Sequence, residues 1–150
     1  KYASFPSVSG AWLARKEDFL KDNHTINNLK LRLSYGITGT QDIGAARYLG
    51  LYSLSAQYNS QVGAFPYQLE NPNLTWESKY QTDFGFDIGL FKRLNITVDA
   101  YHNVTKNLLL QVPQRPSTGF ETRWENDGQM LNNGLEASIS STVIKTKNFS

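Results

Sequence analysis

Apolar and polar residues alternate with a period of two in four separate places along the chain. Over 29–35, Leu29, Leu31, Leu33 and Tyr35 share one face, and Lys30, Arg32 and Ser34 share the other. Over 84–90, Phe84, Phe86, Ile88 and Leu90 oppose Gly85, Asp87 and Gly89. Over 94–100, Leu94, Ile96, Val98 and Ala100 oppose Asn95, Thr97 and Asp99. Over 135–143, Leu135, Ala137, Ile139 and Val143 oppose Glu136, Ser138 and Ser140. Successive side chains leave a strand on opposite faces, so alternation of this length predicts strands with one apolar and one polar face. A fifth, less regular strand is predicted over about 4–14.

The connections alternate between short and long. Phe91-Lys92-Arg93 joins the strands 84–90 and 94–100, and keeping their apolar faces together sets Leu90 opposite Leu94, which predicts a three-residue hairpin loop. Lys145 to Asn148 reads as a second tight turn. By contrast, about forty residues rich in Gly, Asn, Gln and Tyr separate the strands 29–39 and 79–90, and another excursion runs from about Pro113 to Asn132. The segment Arg15 to Asn28 is intermediate, with one helical turn predicted at Glu17 to Lys21. Followed by direction, every long excursion leaves one end of the sheet and every short connection the other. Outer-membrane barrels have this plan, with short periplasmic turns and long outside loops. The expected fold is therefore all-β, an antiparallel meander of about five strands forming part of a large transmembrane β-barrel.

In such a barrel the apolar face meets lipid and the polar face lines the lumen. Lys30, Arg32, Asp83, Asp87, Asp99 and Glu136 then point inward. Tyr35, Phe91 and Tyr101 sit near strand ends, where aromatic girdles occur, although Phe91 and Tyr101 have lumen-side parity.

Composition narrows the classes. Aromatics are 13% of the chain on a polar background of mean hydropathy −0.46, a β-rich rather than helical composition. The net charge of +2 is too small and too scattered for a nucleic-acid surface. There is no cysteine, so neither a disulfide framework nor a thiolate metal site is available, and a bacterial envelope protein is compatible. No apolar run is long enough for a transmembrane helix. The chain begins in mid-pattern and ends in what reads as a turn, so both ends are expected to be cuts in a longer sequence.

Catalysis finds little support. The histidines are His24, in a predicted turn, and His102, near a strand end, and no HExxH, GxSxG or phosphate-binding glycine loop accompanies them. Asp83, Asp87 and Asp99 share one face, the geometry of a paired-carboxylate site, yet nothing in the pattern supplies the burial such a site needs. No enzyme activity, cofactor or metal is expected. The long loop is more suggestive. Tyr48, Tyr52, Tyr58, Phe65 and Tyr67 lie among Gln, Asn and Ser, a mixture suited to stacking on sugar rings while bonding their hydroxyls. The competing reading is that these rings pack a large loop on itself.

Several stretches, in order, resemble the C-terminal barrel of the SusC/RagA-type TonB-linked outer-membrane transporters of Bacteroidota. They are FPSVSGAWLA (5–14) with EDFLK (17–21), NLKLRLSYGITGTQ (28–41), NPNLTWE (71–77), YQTDFGFDIGLFKRL (80–94), VDAYHNVTKNLLL (98–110), NNGLEASI (132–139) and VIKTKNFS (143–150). The match covers nearly the whole chain and is weakest over about 42–69, where ligand specificity would vary. The resemblance implies a bacterial outer-membrane barrel with an N-terminal plug, energised through TonB and often capped by a SusD-like surface lipoprotein, importing glycans or peptides. Residues 1–150 would then be a partial barrel domain, in contact with membrane lipid and with the oligosaccharide or peptide cargo but not with nucleic acid. Neither plug nor TonB-contacting segment is recognisable in it. The rival readings are a soluble β-sandwich that binds carbohydrate, whose apolar face a second sheet would cover, and a surface barrel without transport.

Overall fold

A computed structural model describes residues 2–142 of the chain. They fall into two compact units. One, the sheet unit, contains Ser4–Ile37, Tyr80–Val104 and the residues from Leu131 onward; the other, the excursion unit, contains Thr38–Lys79 and Thr105–Met130 together with the first three residues. The strands are β1 (Ser7–Trp12), β2 (Ile26–Thr40), β3 (Leu51–Tyr58), β4 (Gln61–Gln68), β5 (Glu77–Leu90), β6 (Leu94–Lys106), β7 (Leu109–Pro113), β8 (Thr122–Asn126) and β9 (Gln129–Ser141). Five of them form one sheet in the order β1-β2-β5-β6-β9, while β3-β4 and β7-β8 are separate two-stranded ribbons.

The alternation anticipates the faces correctly. In the antiparallel β1-β2 pair, Val8 lies opposite Tyr35, Gly10 opposite Leu33 and Trp12 opposite Leu31, while Ser9 faces Ser34 and Ala11 faces Arg32. Residues directly opposed across two strands share a face. The apolar set therefore runs continuously across the pair. It is not covered: Leu135 is 73% and Ile139 70% exposed, and Val8, Trp12, Leu33, Tyr35 and Phe84 are exposed with them. Among the described residues the only buried apolar side chains are Ala14 and Leu74.

Three residues join β5 and β6, as the parity of Leu90 and Leu94 requires. Phe91 and Lys92 adopt positive φ (54° and 56°), and the Arg93 N–H donates to the Leu90 carbonyl at 3.0 Å. The Thr97 hydroxyl donates to Asp87 Oδ1 at 3.0 Å, which fits the register with Leu90 opposite Leu94. The β1-β2 connection holds the predicted helical turn, α1 (Asp18–Lys21). Arg15 anchors it by donating to the carbonyls of Leu20 (2.8 Å) and Lys21 (3.1 Å), the positions where a helix end leaves acceptors unsatisfied. Trp12 packs its ring 6.4 Å from that of Phe19 and donates Nε1–H to Glu17 at 2.9 Å.

Three expectations are corrected. The first strand is Ser7–Trp12 rather than 4–14. The second excursion leaves the sheet before the expected Pro113: β6 ends at Lys106, Asn107 takes φ 56°, and β7 pairs with β8 in a separate ribbon. Nor are the excursions structureless loops, since each holds a ribbon. Those ribbons escape a periodicity reading for physical reasons. β4 contains Gly63 and Pro66, which suit only a strand with a free edge, and the β3-β4 register slips twice. β7 and β8 have five residues each, too few to show a period. Val143 and the turn expected at Lys145 to Asn148 lie outside the described residues.

Candidate functional site

The polar face of the sheet unit is organised around Arg32 on β2. Its Nε donates to Asp87 Oδ2 at 3.0 Å and its Nη2 to Asp87 Oδ1 at 3.3 Å and to Asp99 Oδ1 at 2.8 Å. Thr97 adds its bond to Asp87, and Ser34 donates to Asp83 at 3.1 Å. The carboxylates that the sequence places on one face are thus drawn to a cation and to hydroxyls. Asp87 and Asp99 meet on one arginine nitrogen, which offsets their charge, so the face is a cross-linked polar wall. Glycine makes room for it. A Cβ at Gly85 would lie 2.5 Å from Arg32 Cζ and 2.7 Å from Asp99 Oδ1, and one at Gly134 would overlap the Tyr101 ring. His102 Nδ1 pairs with Asn133 Oδ1 at 2.6 Å. Among the described residues no group of His, Asp and Glu is arranged to hold a metal ion.

The excursion unit is built on two asparagines. Asn71, 5% exposed, opens a β-turn in which Pro72 fixes the second position, and the Leu74 N–H closes it on the Asn71 carbonyl at 3.1 Å. Its Oδ1 accepts the Asn73 N–H at 3.2 Å, its Nδ2 donates to the Trp124 carbonyl on β8 at 2.8 Å, and its N–H donates to the Tyr48 carbonyl at 3.1 Å. Asn126 at the end of β8 completes the clasp. Its Oδ1 accepts the Thr75 N–H at 2.7 Å, and its Nδ2 donates to the carbonyls of Thr75 (2.9 Å) and Asn107 (3.0 Å). Glu77 Oε2 accepts the Leu109 N–H at 3.3 Å. The stretch NPNLTWE is therefore a fastener between the two excursions, with asparagine side chains imitating strand partners.

Beside this fastener lies a cavity of about 510 Å³. Gln41, Arg47, Tyr48, Thr75 and Trp76 contribute its polar and aromatic lining. Of the expected ligand-touching aromatics whose side chains are described, Tyr48 is the one there. Tyr52 opposes Pro66 and Phe65 opposes Ser53, so these two rings lie on opposite faces of the β3-β4 ribbon. Tyr67 stands exposed on β4, and Tyr58 occupies the last position of β3. The ribbon thus separates Tyr52 from Phe65. Arg47 and Trp76 are the lining residues that sequence reasoning misses. An arginine in a loop carries no periodic signal, and Trp76 is absorbed into the NPNLTWE motif.

Residues 2–149 match the family model of the TonB dependent receptor-like β-barrel. The chain belongs to this family. Within it, the chain is 41% identical over 149 residues to TonB-dependent receptor P39 of Formosa agariphila, covering 99% of this chain and 14% of that protein. It is 35% identical over 158 residues to TonB-dependent receptor SusC of Bacteroides thetaiotaomicron, covering 99% of this chain and 16% of that protein. A chain of the RagAB peptide importer in its closed-closed state superposes with a TM-score of 0.86 at 31% identity, over 95% of this chain and 16% of that one. The chain thus spans 14–16% of the length of these relatives. The SusC/RagA-type resemblance read from the ordered motifs is borne out, and so is the antiparallel all-β fold. Five strands leave the barrel unclosed, with β1 and β9 at the sheet's edges.

Proposed function

We propose that this chain is one wall, with its outward excursions, of a TonB-dependent outer-membrane transporter importing oligosaccharides or peptides. The observation that carries the proposal is the uncovered apolar face of a sheet whose other face is polar and cross-linked. In water such a face would be buried against a second layer. Against hydrocarbon it needs no cover, because the solvent is itself apolar. Strand length agrees. The strands β2, β5, β6 and β9 have 15, 14, 13 and 13 residues, more than the roughly 9–11 a tilted strand needs to cross a bilayer. In barrels of this class short turns such as that between β5 and β6 belong to the periplasmic side and long connections to the outside. Among the described residues the β-sandwich reading finds no covering second sheet, since the ribbons are two-stranded and the apolar face of the large sheet stays exposed.

On this reading residues 1–150 are part of a barrel domain, and the remaining strands and an N-terminal plug belong to the rest of a longer polypeptide. Energy comes through TonB acting on that plug, and a SusD-like surface lipoprotein covers the outer mouth. Neither partner is engaged through residues that the sequence identifies here. Fractionation of the source bacterium, followed by immunoblotting with an antibody to this chain, tests the proposal. A band in the outer membrane far larger than 17.0 kDa supports it. A soluble band near 17.0 kDa would sink it and restore the carbohydrate-binding sandwich.

A further inference from the structure

We propose that the cavity at Arg47 is a subsite for acidic sugar units, carboxylated or sulfated, of an imported oligosaccharide. The inference rests on the transporter reading and narrows its cargo.

The decisive feature is how Arg47 is held. Its Nε donates to the Ile43 carbonyl at 2.9 Å and its Nη1 to Gln68 Oε1 at 3.1 Å. Gln68 is in turn fixed at the end of β4, because its Nε2 donates to the carbonyls of Ala46 (3.0 Å) and Leu49 (2.7 Å). Two neutral acceptors therefore orient the guanidinium and leave Nη2 without a hydrogen bond among the described residues. Arg47, like Arg15, Arg93 and Arg115 and unlike Arg32 and Arg123, has no carboxylate within ion-pair distance among the described residues. The loop that presents it is wound tightly, with Gly44 at φ 81° and Ala46 at φ 61°. An alanine there carries strain, which persists only where surrounding contacts impose it. Here the Gln68 bond to the Ala46 carbonyl does so. A half-buried guanidinium whose Nη2 is unused among the described residues suits an anionic oxygen of a carboxylate or sulfate.

The rest of the lining favours a sugar as carrier of that anion. Tyr48 and Trp76 bring flat ring faces, which stack on the C–H faces of a pyranose. Gln41 and Thr75 bring donors and acceptors for ring hydroxyls. The cavity of about 510 Å³ falls within the range of small-molecule clefts. A neutral oligosaccharide can take hydrogen bonds from the guanidinium but forgoes the ion pair that a carboxylate or sulfate makes with it.

The test uses the full-length protein purified in detergent, titrated calorimetrically with four probes. These are trigalacturonate, a sulfated galactan tetrasaccharide, maltotriose and an acidic tripeptide. We expect one or both acidic sugars to bind, more weakly as salt rises, with about a tenfold or greater loss in Arg47→Gln. Arg47→Lys recovers part of that loss. Tyr48→Ala weakens binding by removing a ring without touching the charge, which guards against a folding defect in the arginine variants. Equal affinity of Arg47→Gln for the acidic sugars overturns the proposal, as does binding of maltotriose alone or of no acidic sugar. Arg47-dependent binding of the tripeptide alone overturns the sugar assignment in favour of a peptide. Should any of these failures occur in a protein that fractionates with the outer membrane, the transporter reading stands and only the subsite falls.

Discussion

Arg32 on β2 forks onto Asp87 on β5, Nε to Oδ2 at 3.0 Å and Nη2 to Oδ1 at 3.3 Å, directly over Gly85, where any side chain would collide with the guanidinium. A Cβ at position 85 would stand 2.5 Å from Cζ of that guanidinium. Gly85→Ala should therefore destabilise the full-length barrel by about 1–3 kcal/mol, the usual cost of overpacking. Urea unfolding of the protein in detergent checks this. Arg32→Met should cost less, about 1–2 kcal/mol, because the pair is partly open to solvent. A wild-type urea midpoint for Gly85→Ala would show that the wall yields there.

Tyr101 and Gly134 form a second interlock, the phenol ring occupying the space above the glycine. Gly134→Ala should lower the midpoint, and Tyr101→Ala in that background should restore part of it. A double-mutant cycle is expected to return a coupling of about 1 kcal/mol or more. Strict additivity of the two changes would mean that the ring and the backbone are independent.

The turn at Phe91 and Lys92 holds two bulky residues at positive φ, a conformation that Asn and Gly adopt at little cost. Replacing the pair by Asn-Gly should raise stability by about 1 kcal/mol, read as a higher thermal midpoint. A lower midpoint would indicate that Phe91 contributes contacts worth more than the strain.

Asn126→Ala removes three hydrogen bonds from the fastener, and Asn71→Ala removes its bonds to Trp124 and Asn73. Asn71→Ala leaves part-buried backbone groups unpaired, a penalty of about 1–3 kcal/mol confined to the excursions, whereas the Asn126 bonds are exposed and their loss costs less. Protease added to intact cells should then cut faster within 42–76, while the urea midpoint of the barrel stays at the wild-type value. Cleavage at the wild-type rate would show that other contacts hold the excursions closed.

The chain on its own presents unpaired strand edges at β1 and β9 together with an open apolar face. Expressed alone in dilute buffer without detergent, it should aggregate or pair with itself, as size-exclusion chromatography would reveal. A stable, soluble monomer would argue strongly against a lipid-facing wall.

Period-two alternation determined the meander, its two faces and the three-residue turn, because the pleat is local and Leu90 and Leu94 are only four positions apart. The ordered motifs determined the family. What the sequence left open lay where structure depends on partners distant in the chain. NPNLTWE showed itself as a motif without a role, because Asn71 and Thr75 find Trp124 and Asn126 about fifty residues later. Ribbons with mixed polarity on both faces leave no period to read, so the loop aromatics looked like one group until the β3-β4 register set Tyr52 and Phe65 back to back. Arg47 became visible only through tertiary structure. Any arginine carries a charge; its orientation, and the absence of a carboxylate among the described residues beside it, depend on Gln68 arriving from another strand.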